Sequence, residues 1–378
     1  MPPRIVAKTV KFSVDLFLLV FCLLGKVLFA VVRFFLPPKK ILDPQRILIL
    51  DFDGSKIGDQ VLGSAVITAL KKKFPKAKIF VMCSFITEPI FANNKLVDKT
   101  ISGKFVDFKA FLNLARFLEL RKLKPDVAVS MSVNLSSHAL AFLSGAQTTM
   151  GWDKRFKGFP LTNPVKYYSE TADPKHEVFK HLELLKPLNI NEKNPSVTVT
   201  ASALAREYAR AILPKSRVLV AVHGGSKNFP IKNWPAQNFS RVIEELASKE
   251  IQFCLIGSLA EKEIANQIFE GIRPGKRKFV LNLAGKTSLD QLIAVLENSQ
   301  IFFGIDSAPM HLAAAAGCFV YAVFGPKPPI WFSPFTEKKH VFYKGDGKII
   351  EDYQKIGFVS PRKVIVELKK DALLSKFT

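Results

Sequence analysis

The chain has 378 residues, 48% of them apolar, with 55 basic and 32 acidic side chains giving a formal net charge of +23. That length and apolar content exclude a disordered or fibrous chain and allow about two domains of roughly 150 residues each. The charge implies an anionic partner (nucleic acid, acidic lipid or a phosphorylated substrate) or else a solvated basic surface, and no nucleic-acid-binding module accompanies it. Cys22, Cys83, Cys254 and Cys318 lie far apart in or beside apolar runs. Their spacing fits neither a zinc site nor a disulfide framework, so a reducing cytosolic compartment is expected.

In chain order, residues 16–36 are strongly apolar, interrupted by Gly25, Lys26 and Arg33 and ended by Pro37-Pro38. The stretch is long enough to span a bilayer. Read as a helix, it gathers Arg4, Lys8, Lys11, Asp15, Lys26 and Arg33 within about 60° of arc, which favours an in-plane helix at an anionic surface. A spanning helix would bury Lys26 near the bilayer centre. Strands are expected at 46–52, 79–82, 100–101, 125–129 and around 145–150, alternating with helices at 60–74, 88–93, 108–122 and 136–143. That alternation reads as a parallel sheet covered on both faces. Residues 151–173, polar, aromatic and punctuated by Gly and Pro, read as a long functional loop. A helix over 176–185 and a linker over 187–195 follow.

A second α/β half opens with a helix at 201–213 and a strand at 218–222. The turn His223-Gly224-Gly225-Ser226-Lys227 follows directly, where glycine lets a backbone approach a ligand closely. Lys232-Asn233-Trp234-Pro235 precedes a helix at 236–248. A strand at 253–256 ends in Gly257-Ser258, with Glu261 starting a helix, and another helix covers 289–297. The best-marked stretch is 301–326: a buried strand at 301–305, the polar tip Asp306-Ser307, a helix over 310–316 with Pro309 at its start and Gly317 at its end, and a strand at 320–324. Ligands of open α/β sheets bind at such tips, and free N–H groups at a helix start favour phosphate. The same residues also fit a plain helix cap and a packed core histidine at His311. After Gly325-Pro326 the pattern weakens, until an amphipathic helix over 361–374.

The polar tips therefore put Gly58-Asp59 in one half opposite Ser226-Lys227, Lys232, Glu261 and Asp306-Ser307 in the other. Glycine backbone, hydroxyls and lysines suit phosphates, and carboxylates suit ribose hydroxyls. Such a set is expected for group transfer from a nucleotide-activated donor across a cleft.

Gly58-Asp59 with Val61-Leu62, Lys71 to Pro75, Lys232-Asn233-Trp234-Pro235, and Asp306 to Ala315 before Phe324-Gly325-Pro326 together resemble glycosyltransferase family 9, the ADP-heptose:lipopolysaccharide heptosyltransferases. The resemblance covers about residues 46–326. It implies a GT-B fold: two Rossmann-like α/β domains with parallel sheets facing a cleft, residues 45–195 taking the acceptor and 196–350 the nucleotide sugar. Residues 1–44 would add a membrane-associated helix, and 351–378 a C-terminal helix packing back on the first domain. It also implies metal-independent, inverting transfer from an ADP-sugar, with no other cofactor, to a lipid-linked acidic glycan at the cytoplasmic face of a bacterial inner membrane.

Carried over residue by residue, Asp59 matches the family's general base and Lys232 the lysine on the donor phosphates. Ser226 matches the hydroxyl before those phosphates, and Glu261 the ribose-binding carboxylate. Asp306 and His311 match the D-[ST]-x-x-M-H donor pattern; Lys227, Gly257, Thr287, Ser307 and Ala308 complete the implied donor set. Ala308 stands where the family usually has Gly, and Lys327-Pro328 replaces the usual Thr-Asp. One rival is a magnesium-dependent phosphatase of the haloacid-dehalogenase type, since Asp51-Phe52-Asp53-Gly54-Ser55 matches its first motif. That class needs a late second carboxylate, and residues 308–311 supply none. A catalytically silent protein bound at a membrane surface is the other.

Overall fold

The computed structural model describes residues 43–51, 56–103, 114–155, 157–168, 174–344 and 359–377, with positions 20, 23, 24 and 27. The expected in-plane helix thus lies outside the described residues, apart from those four positions. Among the described residues no helix is long and apolar enough to cross a membrane.

The strands are β1 (Arg46–Asp51), β2 (Lys78–Ser84), β3 (Lys99–Gly103), β4 (Val127–Ser130), β5 (Thr148–Asp153), β6 (Asn163–Lys166), β7 (Val218–His223), β8 (Ile251–Leu255), β9 (Val280–Asn282), β10 (Ile301–Ile305), β11 (Phe319–Val323) and β12 (Lys339–Phe342). The helices of the first half are α1 (Ile57–Gly63), α2 (Ala65–Lys73), α3 (Glu88–Ala92), α4 (Leu114–Lys122), α5 (Leu135–Leu143) and α6 (Glu177–Glu183). Those of the second half are α7 (Ala203–Ile212), α8 (Ala236–Leu246), α9 (Lys262–Glu270), α10 (Pro274–Arg277), α11 (Leu289–Glu297), α12 (Ala308–Ala316), α13 (Pro329–Phe332) and α14 (Pro361–Lys369).

These strands form two six-stranded sheets, ordered β3-β2-β1-β4-β5-β6 and β12-β11-β10-β7-β8-β9, and every pairing is parallel. Numbered within its own half, each sheet has the strand order of the dinucleotide-binding fold, reversing between its first and fourth strands. The continuous apolar runs explain the centres: β10 is buried at all five positions and β7 at all six, as a sheet covered on both faces requires.

The chain divides into two compact units. One holds the described residues up to Asp51, from 63 to 168 and from 178 to 196; the other holds 56–62, 174–177 and the described residues from Val197 on. Most of α1, although it follows β1 in sequence, therefore belongs to the second unit.

Several expectations need correction. Residues 151–173 are not one loop, because β5 runs on to Asp153 and β6 occupies Asn163–Lys166. The helix expected over 60–74 begins at Ile57 and is split at Ser64. The C-terminal helix packs on the second unit, not the first. Val364 and Leu368 of α14 join the core of that unit, and the backbone carbonyl of Val359 accepts from the Trp234 indole at 2.9 Å. Lys369 pairs with Glu245 of α8 at 2.6 Å. The apolar stripe of α14 finds its partner in α8, within the same unit.

Candidate functional site

The tips of β7 and β10, neighbours at the reversal point of the second sheet, bring the polar residues together. Gly304 of β10 lies opposite His223 of β7, and a Cβ there would stand 2.7 Å from the His223 carbonyl oxygen. Only glycine allows this close pairing. Beyond β10 comes Asp306, 5% exposed, whose Oδ2 accepts from Lys232 Nζ at 2.6 Å. Lys232 ends a short 3-10 turn, Pro230–Lys232, and is only 24% exposed.

Trp234 fixes that turn from behind. It is 1% exposed and meets Phe239 and Phe303 edge-on. Asn233 clamps the glycine turn: its Oδ1 accepts from the Ser226 N–H at 2.7 Å, and its Nδ2 donates to the Ser226 carbonyl at 3.2 Å. A Cβ at Gly225 would run into the Asn233 side chain. Lys227, next along, is exposed, with no hydrogen bond or ion pair among the described residues.

Ser307 precedes α12 but does not cap it; its hydroxyl donates back to the Ile305 carbonyl at 3.1 Å. Asp306 is committed to Lys232. Neither side chain therefore caps the helix, whose first residue is Ala308. His311 is 5% exposed, and its buried Nδ1 has no hydrogen-bond partner, so it is not a satisfied core histidine. Burial pushes its imidazole down to about 3, and His176 and Lys232 add to the effect. His311 is therefore neutral at physiological pH. His176 is held by the Ser333 carbonyl at 2.8 Å.

Asp59 sits in the first turn of α1 as its third residue, not as its cap, 3.5 Å from Lys56 Nζ. Its neighbour Gly58 lies against His311: a Cβ there would stand 3.0 Å from His311 Cδ2 and 3.6 Å from the Ala308 Cα. The structure thus brings α1 to the first turn of α12, a meeting of Gly58 with His311 that sequence spacing does not reveal.

At the tip of β8, Gly257 and Ser258 lead into a 3-10 turn, Leu259–Glu261. Glu261 folds back, its Oε2 accepting from the Ser258 N–H at 2.8 Å and the Ser258 hydroxyl at 2.9 Å. Burial alone would raise this carboxyl, but His223 and Ser258 outweigh it and hold it at about 2. Glu261 lines a hollow with Val222, Gly224, Gly225, Ile256 and Ile268. Thr287 is half-buried, just before the capped start of α11. Sequence reasoning assigned nothing to His223 or Asn233. The available signal was a histidine closing an apolar strand and an asparagine between Lys232 and a buried tryptophan. Among the described residues no group of three or more His, Cys, Asp or Glu is placed to hold a metal ion.

The model of glycosyltransferase family 9 (heptosyltransferase) matches residues 114–353. Among similar proteins is lipooligosaccharide heptosyltransferase 2 of Haemophilus ducreyi, 25% identical over 343 residues and covering 85% of this chain and 98% of the relative. The solved structure of Escherichia coli ADP-heptose lps heptosyltransferase II shares the fold at a TM-score of 0.74 and 22% identity, over 88% of this chain and 99% of that one. More distant is an iron-containing dodecameric glycosyltransferase, TibC, from enterotoxigenic E. coli, with a TM-score of 0.51 and 13% identity over 89% and 77%.

Proposed function

The chain belongs to glycosyltransferase family 9, the heptosyltransferase family, and from that premise we propose that it moves a heptose from ADP-heptose to a lipopolysaccharide core or a related lipid-linked acidic glycan. The observation that carries the reading is the Lys232–Asp306 pair at 2.6 Å, at the start of α12, in the same compact unit as Asp59. A lysine, an open helix start and a glycine turn form a cradle for a diphosphate. A carboxylate on the neighbouring helix supplies a base. The relatives are named for transfer of this sugar to lipooligosaccharide or lipopolysaccharide.

In this reading Asp59 takes the proton of an acceptor hydroxyl. The freed oxygen attacks the anomeric carbon from the face opposite the diphosphate, so the configuration inverts as the bond to phosphate breaks. Lys232, freed from Asp306, and Lys227 with Ser226 meet the charge that grows on the departing ADP. Neutral His311 donates or accepts a hydrogen bond beside them, with Ser307 and Ala308 at the helix start. Glu261 and Gly257 receive the ribose, and Thr287 borders that end. These positive groups are what makes metal-independent transfer chemically reasonable. The phosphatase reading has no support, because the chain belongs to a family that transfers sugars. An acceptor in a lipid surface and the basic, apolar N-terminal stretch favour work at the cytoplasmic face of the inner membrane.

The test is to incubate the full chain with ADP-heptose and a lipid-linked core acceptor in anionic vesicles, with and without EDTA. The acceptor should gain one heptose as ADP appears, EDTA should change nothing, and the chain should sediment with the vesicles. No transfer from a donor that the chain binds would refute the reading. Loss of transfer with EDTA would refute metal independence.

A further inference from the structure

His223 is 1% exposed, and neither ring nitrogen has a hydrogen-bond partner. A buried imidazole left unpaired is costly and calls for an explanation. Its backbone is held in the sheet opposite Gly304, where not even a Cβ would fit without meeting the His223 carbonyl. The polar atom it faces is Glu261 Oε2, 3.5 Å from Nε2. That is the outer limit of a hydrogen bond, and a small shift of the carboxylate would make it a good one. Oε2 already receives both donors of Ser258. Oε1 has no hydrogen-bond partner among the described residues and is not sealed from solvent. One oxygen is thus fixed by the protein and the other is left over, on a residue that lines the hollow beside Val222 and Gly225.

We infer that His223 is a positioning residue: it holds Glu261 Oε2 so that Oε1 is presented to the vicinal hydroxyls of a donor ribose. The ring is too buried to touch a substrate itself, so it acts only through the carboxylate. The inference rests on the reading that the donor is an adenosine diphosphate sugar. Its consequence is specificity: a site with a fixed carboxylate oxygen rejects a nucleotide that lacks the hydroxyl meant for it.

The experiment is calorimetric titration of ADP and 2′-deoxy-ADP into the full chain. Wild type should favour ADP by about ten- to a hundredfold, the range for a hydrogen bond to a charged group. Glu261→Gln and His223→Leu should each reduce that preference to within about threefold, most of the single-bond discrimination. His223→Gln, whose amide still donates, should keep most of it. A residue that only fills the core would lower stability or weaken both nucleotides alike, leaving the ratio untouched. If His223→Leu does not fold, His223→Asn reads the same point, because its amide is too short to reach Glu261. A wild-type ratio in His223→Leu or His223→Asn overturns the assignment alone. A wild type that binds neither nucleotide overturns the donor reading, and the assignment with it.

Discussion

At the scale of single residues, His311 and Glu261 are shifted from their ordinary ranges in the same downward direction, with different consequences for stability. Burial holds His311 at about 3, below its ordinary 6.5. The unfolded chain therefore binds a proton there before the folded one does. This contribution is complete above about pH 6.5 and is lost progressively as pH falls toward 3. Glu261, held at about 2 against an ordinary 4.5, contributes above about pH 4.5 and loses that as pH falls through 2. Between pH 6.5 and 4.5 only His311 of the two produces a slope. His311→Gln should thus flatten the decline in urea midpoint between those values, and an unchanged slope would show that the imidazole is already protonated in the fold. Sequence alone could not separate the capping and ligand readings of Asp306 and Ser307, because both need the same residue types at a helix start. The Lys232 partner, 74 positions away in sequence, argues against capping by Asp306.

At the scale of elements, the strands most legible in the sequence were the buried central ones. β10 and β7 are continuous apolar runs, and their expected bounds match within a residue. The strands without a signal, β6, β9 and β12, all lie at sheet edges. They are four, three and four residues long and include Asn163-Pro164 and Lys339-His340. An edge strand is half covered and needs no apolar run, so its pairing is set by the neighbouring strand and not by its own composition. The join between central strands is more demanding. Gly304→Ala would push a Cβ to 2.7 Å from the His223 carbonyl, forcing β7 and β10 apart. It should cost about 1–3 kcal/mol, typical of overpacking, and weaken ADP binding through His223. Gly275→Ala, with nothing within 4 Å of the added carbon, is the control and should cost nothing measurable. Equal melting temperatures for the two variants would contradict the packing argument.

At the scale of the whole molecule, the paired α/β halves were legible because strand-helix alternation is written twice in the chain. The allegiance of α1 was not. Sequence puts it between β1 and β2, yet residues 56–62 pack with the second unit, through Gly58 against His311. A contact between residues 253 positions apart carries no periodic signal. The consequence is that Asp59 is seated by the unit that holds Lys232 and Asp306. In the function proposed above, base and diphosphate cradle belong to one unit but fail separately: losing the base should spare donor binding. The direct measurement is turnover and ADP affinity side by side on Asp59→Asn. Transfer should fall by about 10² to 10⁴, the usual worth of general-base help, while the ADP dissociation constant stays at its wild-type value. Turnover within a few fold of wild type would contradict the account, reducing Asp59 to a charge at a helix start.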